Sequence, residues 1–367
     1  MRIGLLGAWS INNTGDNILA WAARQAIATR LPQAELPAFA PEFPGPVWGH
    51  DFGGRGAGPI RAIPPQGTAG WTRGLDGVVI GGGGLVSFHP WFRCFQPGAR
   101  WPARIRTVWN AVGSQNTAWY LATREERRRL VACCERLAYL SVRSRSTARL
   151  LERCGYRGRV RVVPDPTLGV DLPGEDRTEA ILQRAGAESG EPLIGVSVGN
   201  AIGDGATASF HDRLAAAIRA LRIRALVFPF GQVYGDGRHQ RAMAARLPGS
   251  LMLRGRIGPF DRWRLIGRMR LYVGCRFHAV LAAYAQNVPF LAVDEYLSDE
   301  IATSKIRELC SEYDLEAHWT CPYLPVDPAV KLIRIAAARS SFAAAVAAHR
   351  QRLERHYDAL VAALTES

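Results

Sequence analysis

Short, unbroken apolar runs alternate with longer amphipathic stretches along most of this 367-residue chain. Runs rich in Val, Ile and Leu without polar alternation mark strands covered on both faces, and a helix between successive strands makes parallel βαβ units. The pattern predicts strands over Arg2–Leu6, Asp76–Ile80, Thr107–Ala111, Leu137–Val142 and Val160–Val163, with a helix over Asp16–Thr29. It starts again with strands over Leu193–Val198, Ala225–Phe230, Leu251–Leu253, Leu271–Val273 and Phe290–Val293, and helices over Phe260–Met269, His278–Gln286 and Ser304–Leu309. Ala337–Leu364 reads as an alanine-rich amphipathic tail, in one or two pieces. The fold class is α/β, with two Rossmann-like domains facing a cleft.

Two interruptions organise this pattern. The segment from Ala40 to Gly74 is rich in Gly and Pro and has little periodicity, as expected of a substrate loop or lid. The second interruption, Pro164-Asp165-Pro166 and the polar stretch after it, is the expected interdomain crossover. The division is therefore residues 1–170 for the first domain, 171–336 for the second, and 337–367 for a helical tail that folds back on the first. In such a frame ligands bind at the carboxyl ends of the strands.

Composition narrows the class. Met1–Ala8 is too short an apolar run for a signal sequence, and no apolar stretch is long enough to span a bilayer, so a cytoplasmic protein is expected. Seven cysteines show neither CxxC pairing nor metal-ligand spacing, which predicts reduced thiols and no metal. The formal charge is +14, but every cation of the 46 except Lys305 and Lys331 is arginine, scattered along the chain. That distribution argues against specific nucleic-acid binding. It leaves open anionic substrates, anionic glycolipid carriers and docking on the inner face of a membrane.

Candidate chemistry lies in four segments that follow predicted strands. Asn13, Thr14, Gly15 and Asp16 follow the first strand; Asp16 either caps the helix or points into the cleft. Gly81–Gly84 follow the second predicted strand. Their amides either line an anion site or make a flexible turn, and no Walker lysine accompanies them. Gly274-Cys275-Arg276-Phe277-His278 joins a strand to a helix, placing a guanidinium and an imidazole at a helix N-terminus, where anions bind. Lys305, in a chain that otherwise uses arginine, suggests a required compact charge. Arg143 either reaches the cleft or is solvated. Asp165 is expected to fix the crossover, His89 lies near the cleft, and His349 and His356 are expected on the surface.

Together these segments resemble the polysaccharide pyruvyltransferase family. Asn13-Thr14-Gly15-Asp16 is similar to its opening turn and Gly81–Gly84 to its glycine run. Ser141 through Thr147 and Gly155 to Val163-Pro164-Asp165-Pro166 is similar to its central block. Cys275-Arg276-Phe277-His278-Ala279 with Asn287-Val288-Pro289 is similar to its late signature. The resemblance runs from residue 1 to about 315. Three details depart from it: Cys275 replaces a small polar residue, Ser144 replaces an acid, and Tyr296 is farther than usual from Lys305.

The resemblance implies a fold of the GT-B type, phosphoenolpyruvate as co-substrate without a further cofactor, and a saccharide or glycolipid acceptor that receives a pyruvyl ketal. It implies His278 and Asp16 as catalytic residues, with Arg276, Lys305, Arg143, Gly274 and Cys275 at the donor and Asn13, Gly82, Gly83 and His89 at the acceptor. A glycosyltransferase using a nucleotide sugar on the same architecture is the alternative, and a non-catalytic glycan-binding protein is a third reading.

Overall fold

The computed structural model describes residues 1–9, 13–41, 60–63, 69–88, 90–96, 101–102, 104–114, 122–198, 205–231, 236–253, 255, 257–295, 304–324, 327–338 and 341–366. The first domain is built from β1 (Ile3–Leu6), α1 (Thr14–Arg30), β2 (Ala38–Pro41), β3 (Arg61–Ile63), β4 (Gly77–Gly81), β5 (Gly84–Val86), β6 (Arg106–Ser114), α2 (Arg124–Glu135), β7 (Tyr139–Val142), α3 (Arg145–Arg153) and β8 (Arg161–Val162). Its sheet runs β3-β2-β1-β4-β6-β7-β8, with β5 paired to β6. After α4 (Thr178–Ala185) the second domain follows. It comprises β9 (Leu193–Ser197), α5 (Gly205–Ala220), β10 (Arg224–Val227), α6 (Asp236–Arg246), β11 (Leu251–Met252), α7 (Pro259–Gly267), β12 (Leu271–Gly274), α8 (Phe277–Ala285), β13 (Phe290–Val293), α9 (Lys305–Glu312), β14 (Trp319–Thr320) and α10 (Pro328–Ala337). The second sheet runs β11-β10-β9-β12-β13-β14. The paired strands of both sheets are parallel, and β1, β4, β9, β12 and β13 are buried at every position because helices cover both faces.

In each sheet the chain builds outward on one side and then crosses to the other. The reversal falls between β1 and β4 in the first sheet and between β9 and β12 in the second. Loops part at such switch points and leave a crevice at the strands' carboxyl ends. Here the two crevices meet. Asn13, after β1, forms an isolated antiparallel bridge with Gly231, after β10, and Arg262 of α7 donates to Thr14 Oγ1 at 3.3 Å.

The last two helices take different paths. α10 packs on α5 in the second domain, while α11 (Ala343–Thr365) returns to the first sheet through contacts with β6. Val346, Leu353, Tyr357, Leu360 and Leu364 form its buried face. His356 is on that face too, only 4% exposed, which corrects its expected surface position. Its Nδ1 lies 2.9 Å from the Tyr139 hydroxyl and its Nε2 2.8 Å from Asn110 Oδ1. Asn110 Nδ2 in turn donates to the Tyr357 hydroxyl at 3.3 Å. His349 is half-buried, edge-on to the Tyr313 ring at 4.8 Å between centroids.

Local signals fix several helix ends. Thr123 and Glu126 make a reciprocal capping box at α2: Thr123 Oγ1 accepts from the Glu126 N–H at 3.2 Å, and Glu126 Oε2 accepts from the Thr123 N–H at 2.9 Å. Thr123→Ala should therefore lower the unfolding free energy by about 1 kcal/mol in urea titration, without changing its steepness. All seven cysteines stand as free thiols.

Candidate active site

The site assembles where helix N-termini from both domains converge. α1 is capped by Asn13, whose Oδ1 accepts from the Gly15 N–H at 3.2 Å. Asp16 is therefore not the cap. It is buried in the cleft wall, accepts from Asn13 Nδ2 at 2.8 Å and lies against the backbone of Gly83. A Cβ on Gly83 would stand 2.8 Å from Asp16 Oδ1, and the residue's φ of +80 is one that glycine adopts freely. The Gly82 N–H donates to Asn110 O at 3.4 Å and the Gly83 carbonyl accepts from Gly113 N at 2.9 Å. This part of the glycine run is thus a fixed turn that lets Asp16 approach, with the Gly82 amide already engaged.

From the second domain, Arg276 caps α8 without a side-chain capping bond and His278 lies in its first turn. The His278 ring is packed against Gly15, and its Nε2 stands 3.6 Å from Asp165 Oδ2, just outside hydrogen-bonding distance. Gly274 ends β12. The Cys275 thiol turns into the core behind the sheet and donates to Ser197 O at 3.4 Å, so that only its backbone borders the turn. Lys305 opens α9 beside the cap residue Ser304.

Arg143, at the end of β7, is buried rather than solvated. Its Nη1 lies 3.3 Å from Asp165 Oδ2, and its guanidinium sits 4.0 Å from the centre of the Phe277 ring. Sequence reasoning missed this buried junction. It also missed Glu308, an acid of α9 that is buried near Ser144 and Lys305. The acid absent at Ser144 thus has a neighbour supplied by the opposite domain. Gly113 backs the Arg143 guanidinium closely, since a Cβ there would come within 2.5 Å of Nε. His89 and Tyr296 lie outside the described residues.

These charges shift one another. Burial pushes the Asp16 carboxyl up, against the opposing pull of His278, Lys305, Arg143 and the Asn13 amide. Burial, then Arg143 and Arg276, push the Lys305 ammonium down to about 8, although Asp16 and Glu308 pull the other way. Burial also raises Glu308. An acid held high and an amine held low in one cleft are groups suited to exchanging protons near neutral pH. Among the described residues no cluster of His, Cys, Asp or Glu could hold a metal ion.

A family model described as polysaccharide pyruvyl transferase matches residues 13–295. Among solved structures, a glycosyltransferase from Rickettsia africae ESF-5 is 11% identical with a TM-score of 0.58, over 100% of this chain and 99% of that one. A UDP-GlcNAc 2-epimerase from Methanocaldococcus jannaschii is 12% identical with a TM-score of 0.56, over 92% of each chain. A sucrose-phosphate synthase from Thermosynechococcus elongatus is 13% identical with a TM-score of 0.53, over 99% of this chain and 96% of that one. At these identities the likeness is one of fold, the GT-B arrangement of two facing α/β domains. Comparison with curated proteins gives no match.

Proposed function

Because the chain belongs to the polysaccharide pyruvyl transferase family, we propose that it transfers the pyruvyl group of phosphoenolpyruvate to two hydroxyls of a saccharide, forming a ketal and releasing phosphate. One observation carries the choice of donor. Arg276 and Lys305 stand at the N-termini of α8 and α9, and Arg143 stands one residue before Ser144, the cap of α3. Helix dipoles favour acids at such positions. The arrangement adds three positive side chains to helix N-termini, which together favour an anionic ligand. A small ligand bearing both a phosphate and a carboxylate suits it.

In this reading Arg276 and Lys305 hold the donor's two anionic groups, and Arg143 adds charge from behind them. His278 acts as general acid at the donor, and Asp16, with its raised affinity for protons, receives a proton from the acceptor hydroxyl. Protonation of the donor's methylene carbon leaves an oxocarbenium-like carbon that takes the first acceptor oxygen. A second hydroxyl then displaces phosphate and closes the ring. Of the two hydroxyl protons, one balances that given to the methyl group and the other leaves with phosphate. The acceptor enters over Asn13 and the Gly82–Gly83 turn. The +14 charge would favour a saccharide on an anionic lipid carrier, approached at a membrane surface. No described helix is long and apolar enough to cross a membrane.

Phosphoenolpyruvate at 100 times its Kd should raise the unfolding free energy by about 2.7 kcal/mol, and Arg276→Ala should remove that gain. Thermal melts of both proteins with phosphoenolpyruvate and a panel of nucleotide sugars decide the matter. Stabilisation by a nucleotide sugar alone would replace pyruvyl transfer with glycosyl transfer.

A further inference from the structure

Asp165 is fully buried between the two domains, and each of its carboxylate oxygens has a separate task. Oδ1 accepts from the Thr167 N–H at 3.0 Å and from Thr167 Oγ1 at 2.7 Å, which ties the carboxylate to its own turn. Oδ2 faces Arg143 Nη1 at 3.3 Å and His278 Nε2 at 3.6 Å. The Asp165 N–H donates to the Tyr313 hydroxyl at 3.0 Å, so that the backbone is anchored as well. Burial alone would raise this carboxyl; His278, Arg143 and Thr167 outweigh it and hold the group well below the usual carboxylate range.

The two cationic partners come from different domains, Arg143 from the end of β7 and His278 from α8. Neither has room to swing. Phe277 and Gly113 enclose the guanidinium, and Gly15 abuts the Nδ1 edge of the imidazole. One oxygen therefore faces both groups.

We propose that Asp165 is a positioning residue that never touches substrate, and that its carboxylate fixes His278 and Arg143 in one geometry shared by the two domains. Nε2 stands 3.6 Å from Asp165 Oδ2, and the carboxylate's charge favours the neutral tautomer with its proton on Nε2. The nitrogen that exchanges protons is then Nδ1, at the Gly15–Asp16 turn. A buried carboxylate that fixes an imidazole tautomer is a recurring device in acid–base catalysis. The catalytic half of this inference rests on the pyruvyl-transfer reading; the tautomer does not.

The test is Asp165→Asn in the full-length protein, which keeps the side chain's size and an oxygen for Thr167. Nitrogen NMR of the histidine rings, with the His278 signal assigned by its loss in His278→Gln, should show the Nε2–H form in the wild type and a mixture in the variant. Phosphate release from phosphoenolpyruvate should fall about tenfold in kcat, with a smaller change in KM. An unchanged His278 signal and an unchanged kcat in a folded variant would overturn the proposal. If Asp165→Asn does not fold, Thr167→Val removes the hydroxyl bond to Oδ1, leaving only the backbone one, while keeping the charge. The same ring signal must then change, or the proposal fails. If the signal changes as expected while even the wild-type protein ignores phosphoenolpyruvate, the positioning role stands and the pyruvyl-transfer reading falls.

Discussion

Gly15→Ala should reduce turnover about a hundredfold or more, because the added methyl group evicts His278 from its place. Helix propensity alone predicts a gain. Gly15 lies in the first turn of α1, where alanine is better than glycine by about 1 kcal/mol in a helix interior. The new Cβ, however, would lie 2.0 Å from His278 Nδ1 and 2.2 Å from Cγ. These are atoms of a ring rooted in α8, and they have no flexible end that could move aside. The ring must turn away from Asp165 and from the cleft. Overpacking of this kind costs about 1–3 kcal/mol, so net stability should fall only slightly while activity collapses. Gly70→Ala is the matched control, since nothing stands within 4 Å of its Cβ position. Phosphate release and thermal melts on the three proteins check the prediction. A Gly15→Ala enzyme with wild-type turnover would remove His278 from the mechanism.

The same residues show what can be read from sequence and what cannot. Arg276 and His278 were recognisable because a buried strand, a turn and a helix follow one another within a few residues, and that order dictates where the side chains go. The Asn13–Asp16 turn was recognisable for the same reason. Asp165 was not. Residues 143, 165 and 278 meet only because the two sheets face each other at their switch points, and between two prolines an aspartate reads as turn chemistry alone. The short strands β2 and β3 fall in or beside a Gly/Pro-rich segment, and β14 has too few residues to display a period. His356 stands among Arg352, Glu354, Arg355 and Asp358 in a helix of alanines and arginines, so most of its sequence context is that of a solvated face. What buries it is the return of α11 across the first sheet, which no local pattern encodes.

That burial makes the tail sensitive to acid. His356 sits between the Tyr139 hydroxyl and Asn110 Oδ1, an arrangement satisfied when the ring is neutral, Nε2–H donating and Nδ1 accepting. Burial, aided by Arg30 and Arg161, pushes its pKa down to about 3. Once unfolded, the ring titrates near 6.5. Above that pH it is neutral in both states and contributes no pH dependence. As pH falls below 6.5 the unfolded chain takes up a proton that the folded protein refuses, so stability drops by about 1.4 kcal/mol per pH unit until about 3. Between pH 6.5 and pH 5 the loss from this one residue should reach about 2 kcal/mol. His318 and His349 are also held low by burial and add to the trend, whereas Asp16 and Glu308, held high, oppose it. The test therefore lies in the difference between two proteins. His356→Gln retains one donor and one acceptor but cannot titrate. Urea titrations at pH 7.5 and pH 5 should show its stability falling by about 2 kcal/mol less than that of the wild type. Equal losses in the two proteins would mean that the docked tail tolerates a charged imidazole and that the acid sensitivity lies elsewhere.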